Sequence, residues 1–299
     1  MKNAEFEERE YEAPLYNQLE RGSTWLWSPG QVFEHHIGID RAMFISDDWL
    51  FRMHGYATYA PGAVLTRYRW PDAWFGKRGR GRLPNFYLNL FVQAKRPLWG
   101  KRAPKSLENF NLHGPVWKFD VTPHQQRALE VVAQQLADRA LVVYAAPAFH
   151  LHQDLFKHTR FGTIAEHSCF PSVMSLQGHS AWYYNCPGAV GIASSVPRPI
   201  EEASLDTRLQ ELARGYNSNT DNPADWRLNL RDLASGIVTS LSTSEIPDSS
   251  RLAYFFDLQR EAERDLSDIR EGKPLGHYQT VLNFLQAFAT DWYVVGETE

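Results

Sequence analysis

Cysteine is scarce: Cys169 and Cys186 are the only two in 299 residues. Two thiols cannot build a disulfide framework, and such usage fits a reducing cytosol. No run reaches the roughly 18 apolar residues of a membrane-spanning helix, so no span is expected. The opening, MKNAEFEEREYE, is acidic and lacks the apolar core of a signal peptide, which points to a cytoplasmic chain. There is no G-x-S-x-G elbow and no G-x-x-x-x-G-K-[ST] loop, so serine-hydrolase and ATPase chemistry lack support. An energy-driven or sensing step would fall to a partner protein such as an ATPase, a helicase or a sensor. No paired CxxC occurs either. His167, Cys169, His179 and Cys186 offer only H-x-C, then H, then C, which buried thiols and structural histidines explain as simply as zinc. Internal repeats and low-complexity tracts are absent.

Apolar and aromatic side chains are plentiful. Hydrophobic residues make up 43% and Trp numbers ten, enough for a substantial core. The length suits one large or two modest domains. The net charge of −4 conceals an asymmetry. Between Arg67 and Lys105 stand eleven Lys and Arg and one acid, Asp72, whereas Glu245 to Glu299 holds eleven acids and five bases. A basic block in an acidic protein is a local electrostatic footprint, and phosphate backbones are its commonest partner. Lys77, Arg78, Arg80 and Arg82 alternate with Gly in KRGRGRLP and are expected to contact phosphates of nucleic acid; the plainer alternative is a solvated loop. Trp70 and Trp74 suit stacking on unpaired bases or packing as local core.

PLYNQLERG reads as a first helix, with Pro14 at its first position, Gly22 at its stop, and Glu12 at or just before its start. QVFEHHIGIDRAMFI reads as two short strands bent near Gly38, and residues 46–85 as a basic, aromatic insertion. In the strand FYLNLFVQAK, alternation sets Leu88, Leu90, Val92 and Ala94 on one face and Tyr87, Asn89, Phe91, Gln93 and Lys95 on the other. A Lys there either has a task or snorkels to solvent from a strand tip. WKFDV is a short strand. TPHQQRALEVVAQQLADRA is a helix capped by Thr122 with Pro123 first, and ALVVYAAP a buried strand. His150, His152 and His158, in FHLHQDLFKH, fall on a loop and helix, where a solvated face is the simpler reading. From about residue 199 the chain is mainly helical. Stripes of Leu205, Leu209 and Leu212; of Leu252, Phe255, Ala262, Leu266 and Ile269; and of Tyr278, Val281, Leu282, Leu285 and Phe288 indicate core packing. A soft boundary near 160 divides a core (1–160) from an accessory region, first mixed and then helical (161–299).

The order helix, strand, strand, strand, helix, strand converges with four residues: Glu12 by the first helix, Asp40 in GID, and Gln93 and Lys95 in QAK. In this set the chain resembles the PD-(D/E)XK nuclease superfamily, and most closely its Mrr-like members, where Q-x-K replaces acid-x-Lys. YEAPLYNQLERG resembles the family's first helix, IGIDRAMFI its Asp-bearing strand, VQAK its Lys-bearing strand and LVVYAAP the strand after the second helix. The likeness covers residues 11–148. Two departures stand out: some fifty residues separate Asp40 from Gln93, and Pro14 follows Glu12 closely.

The resemblance implies an α/β, restriction-endonuclease-like fold, a mixed sheet flanked by helices. It implies a metal-dependent endonuclease acting on nucleic acid, DNA first, of a kind often found in prokaryotic restriction or phage defence. Mg²⁺ or Mn²⁺ would be held by Asp40, Gln93 and Glu12, and Lys95 would orient the attacking water or stabilise developing charge. Gln93 brings a neutral carbonyl where a carboxylate is usual, which gives Glu12 more weight. Glu34 lies six residues before Asp40, about 20 Å along a straight strand, so only a sharp bend at Gly38 would bring it in. Each residue also has a plainer reading: Asp40 as a turn acid, Gln93 and Lys95 as a polar strand tip, Glu12 as an N-cap acid. The alternative function is an inactive nucleic-acid-binding or scaffold protein on the same fold, acting through a partner. A homo-oligomer is compatible with either.

Overall fold

The structure is a computed structural model that describes residues 1–19, 24–27, 42–45, 86–110, 112–188, 190–205, 207–212, 226–243, 249–266, 273–288 and 290–296. Glu34, Asp40, Trp70, Trp74, Lys77, Arg78, Arg80 and Arg82 lie outside these residues. The elements are β1 (Lys2–Asn3), α1 (Glu8–Leu19), β2 (Thr24–Trp27), β3 (Ala42–Ile45), β4 (Phe86–Ala94), β5 (Leu98–Gly100) and β6 (Val116–Asp120). They continue with α2 (Pro123–Leu136), β7 (Ala140–Pro147), α3 (His152–Phe161), β8 (Ser168–Cys169), β9 (Ala181–Tyr184), β10 (Val190–Ser194) and β11 (Arg198–Glu201). The last are α4 (Trp226–Thr243), α5 (Ser249–Leu266), α6 (Lys273–Phe288) and β12 (Asp291–Gly296).

This is a mixed α/β chain. A four-stranded sheet runs β12–β4–β7–β8, and an antiparallel six-stranded sheet runs β1–β5–β6–β9–β10–β11. β4 and β7 are parallel, from Asn89 opposite Ala140 to Ala94 opposite Ala145, so a crossover must join them; α2 lies within it. Thr122 is the N-cap of α2 and Pro123 opens it, as the sequence leads one to expect.

Strand alternation in β4 divides the core. Leu90, Val92 and Ala94 pack with Tyr11, Leu15 and Tyr16 of α1, and Leu205, Leu209 and Leu212 close over this cluster. Phe91 faces the other way, into a core with Leu129 and Val132 of α2, Ile237 of α4, Phe255 of α5, and Val281, Phe284 and Phe288 of α6. The four-stranded sheet is thus covered by helices on both faces, which is why β7 is buried at every position.

Three differences from the sequence reading matter. The first helix begins at Glu8, with Pro14 inside it, so Glu12 stands in its second turn and is no N-cap. The cause is local: the Glu10 carboxylate accepts from the backbone N–H of Glu7 at 2.7 Å, so an acid three residues on satisfies a helix-start donor. Among the described residues, β3 pairs with β2, and the edge of β4 away from β7 is held by β12. Finally, hydrogen bonding does not break near residue 160: β6 pairs with β9, and β4 with β12.

Candidate functional site

The carboxyl end of β4 concentrates the polar groups. Gln93 is 2% exposed and Lys95 8%, so neither is a solvated strand tip. The Lys95 backbone N–H donates to the Ala145 carbonyl at 2.8 Å, which continues the β4–β7 ladder and fixes the side chain's direction. Its Nζ donates to Gln125 Oε1 at 3.1 Å and lies 5.6 Å from the centre of the Tyr144 ring. Burial pulls the ammonium below its ordinary pKa, and the Glu8 and Glu12 carboxylates pull it partly back.

Gln125 sits in the first turn of α2 and connects the strand to the C-terminal helices. Its Nε2 donates to the Phe288 carbonyl at 3.3 Å, and Gln93 Nε2 reaches that carbonyl at 3.4 Å. Gln93 Oε1 is buried and, among the described residues, has no hydrogen-bond partner. Such an acceptor costs about 1–3 kcal/mol, so its retention asks for a reason. Beside this group a second set fixes Tyr144: its hydroxyl donates to Gln126 Oε1 at 2.7 Å, and Gln126 Nε2 donates to Glu130 Oε1 at 2.7 Å.

The start of α1 meets the same strand end. Glu8 Oε2 accepts from the Arg96 backbone N–H at 3.0 Å, and the Arg96 guanidinium bonds both Glu7 oxygens at 2.9 Å. These contacts bring an acidic helix terminus to Lys95, and Glu12, half-buried one turn beyond Glu8, acts on the same ammonium. Three of the four residues chosen from sequence therefore lie within electrostatic reach of one strand end. Asp40 lies outside the described residues, as does Glu34.

Sequence reading missed Gln125, Glu8 and the Phe288 carbonyl. HQQ directly after a Thr-Pro helix start was a usable signal for Gln125. The carbonyl had none, because it lies 195 residues from Gln93.

The histidines play other parts. His158 is buried, a correction to the solvated face expected for it, and stacks on His167 with ring centres 3.8 Å apart. Both rings bond Thr163, His158 to its hydroxyl at 2.9 Å and His167 to its carbonyl at 2.8 Å. His150 stacks on Trp99 at 3.9 Å. Cys169 is buried, with burial pushing its thiol pKa up, and Cys186 is exposed. Among the described residues, no three His, Cys, Asp or Glu side chains gather as a metal cluster.

No protein-family model, no curated protein and no solved structure matches the chain. The family resemblance rests on the chain's own residues.

Proposed function

We propose that this chain is a metal-dependent nuclease that cleaves phosphodiester bonds, with DNA as the first substrate to test. The observation that carries the reading is the buried Lys95 beside Gln93, whose Oε1 has no hydrogen-bond partner among the described residues, at a strand end that also receives the acidic start of α1. A lysine with a lowered pKa in such surroundings marks a functional-site candidate.

The donor chemistry fits a hard divalent cation. Among the described residues, Gln93 Oε1 is a carbonyl oxygen without a hydrogen-bond partner; Glu12, on the helix that packs against the other face of β4 and acting on Lys95, and Asp40 would supply the carboxylates. A bound Mg²⁺ or Mn²⁺ supplies Lewis acidity and an activated water. The chain's own part is positional. Gln125 holds the Lys95 ammonium, Glu8 and Glu12 keep it charged against burial, and Lys95 then stabilises charge that develops on the phosphate. The basic block from Arg67 to Lys105 would hold the phosphate backbone. A setting in restriction or phage defence in the cytoplasm, with an activating partner protein, belongs to the same proposal.

One observation favours the second reading, a nucleic-acid-binding or scaffold protein without cleavage. The Phe288 carbonyl backs onto both Gln93 and Gln125, and β12 occupies an edge of β4. The discriminating experiment incubates the chain with labelled single-stranded and duplex DNA and RNA in Mg²⁺, in Mn²⁺ and in EDTA. Cleavage that EDTA abolishes supports the nuclease; binding without cleavage under every condition supports the scaffold.

A further inference from the structure

α3 follows β7 after four residues, at the carboxyl ends of the parallel pair β4 and β7. Ligands of parallel strands gather at that end. The helix buries Leu155 and His158 and turns a different chemistry outward. Phe156 is 68% exposed and Phe161 67%, an uncommon cost for two phenyl rings on one short helix. At 3.6 residues per turn, Phe156, Arg160, Gln153, Lys157 and Phe161 fall within an arc of about 140°. The stripe therefore sets two cationic side chains between two phenyl rings. His152 extends it, its ring stacked on Phe156 with centres 6.1 Å apart and planes 21° from parallel. Arg160 lies over the Phe161 ring at 5.9 Å. Among the described residues, neither Lys157 nor Arg160 forms a salt bridge.

We propose that this face of α3 binds a single strand of nucleic acid, with the phenyl rings stacking on bases and Lys157 and Arg160 meeting phosphates. Stacking on exposed rings needs unpaired bases, so a duplex is the poorer ligand. Charge also argues against a second copy of the chain as occupant. A two-fold contact centred between Lys157 and Arg160 would set these cations against each other, with the nearest acids, Asp154 and the Glu10 that pairs with His152, at the margins of the stripe. The inference uses the nuclease reading only for where the strand leads, toward Lys95.

The test measures binding of the full chain to a labelled oligothymidylate of about 20 nucleotides, an oligouridylate and a duplex of equal length, over a range of salt. Phe156→Ala/Phe161→Ala should weaken single-strand binding about tenfold or more while leaving the salt slope nearly unchanged. Lys157→Gln/Arg160→Gln should flatten that slope by about 1.4. All four side chains are exposed, and far-UV circular dichroism with urea melting checks that both variants fold. Single-strand binding equal to wild type in both variants overturns the inference. So does a wild-type dimer that Phe156→Ala/Phe161→Ala converts to monomer with binding unchanged, which would assign the face to self-association. If Lys95→Ala leaves metal-dependent cleavage intact, the nuclease reading falls while the α3 result stands on its own.

Discussion

Replacing Lys95 by Met separates a lysine kept for chemistry from one kept for structure. Two opposing effects act on stability. The variant leaves Gln125 Oε1 buried without its donor, a cost of about 1–3 kcal/mol. It also removes an ammonium whose pKa burial has lowered, and each unit of such lowering is worth about 1.4 kcal/mol of relief. Met fills similar volume, so packing changes little. The two effects oppose each other, so any loss of stability in urea unfolding should stay below about 3 kcal/mol. Lys95→Met/Gln125→Leu removes both partners and should be at least as stable as Lys95→Met, with a coupling of about 0.5–3 kcal/mol in the double-mutant cycle. Cleavage should respond quite differently, falling about 100- to 1,000-fold, as when one group that stabilises transition-state charge is lost. Sign and pH agree with this assignment. A lysine with a lowered folded pKa stabilises the fold only as pH rises toward its ordinary value of 10.5, so wild type should gain stability there relative to Lys95→Met. A destabilisation above about 4 kcal/mol, no coupling to Gln125, and cleavage within twofold of wild type would together refute the reasoning.

Gln93→Glu places a carboxylate beside the Phe288 carbonyl, so it should destabilise the chain without metal and recover stability in millimolar Mg²⁺; thermal melting with and without the ion decides, and no recovery argues against a metal at this position. Gly191→Ala would set a Cβ 2.4 Å from the Trp182 ring and 2.5 Å from the Tyr183 carbonyl, so urea melts should show a loss of about 1–3 kcal/mol or more. Burial, then the neighbouring His167, lowers the pKa of His158, so its contribution is full above its ordinary pKa of 6.5 and is lost as pH falls below that; His158→Phe should flatten the acid side of the stability profile, and an unchanged profile would remove His158 from that role.

Local patterns were legible where the physics is local. β7 spans the expected ALVVYAAP, and the two faces of β4 divide as alternation requires, because a β strand buried between helix layers leaves little choice of register. Thr122 and Pro123 start α2 for the same kind of reason. Pro14 suits a helix opening, yet the Glu7–Glu10 contact sets the start at Glu8 and leaves Pro14 inside the helix. The candidate site was half legible. Q-x-K on a buried strand marked Gln93 and Lys95, but what makes them unusual comes from far along the chain. Lys95 meets Gln125 30 residues on, Gln93 meets Phe288 195 residues on, and β12 reaches β4 from the opposite end. No sequence window contains those distances.

The central claim is that Asp40 and Lys95 belong to one metal-dependent site for phosphodiester cleavage. The most direct measurement is cleavage of supercoiled plasmid DNA in Mg²⁺ or Mn²⁺ by wild type, Asp40→Ala and Lys95→Ala, with circular dichroism on each to verify folding. The account predicts cleavage by wild type that EDTA abolishes, and its loss in both folded variants. Cleavage by both variants at the wild-type rate, or none by the wild type on any nucleic acid in either metal, would contradict it.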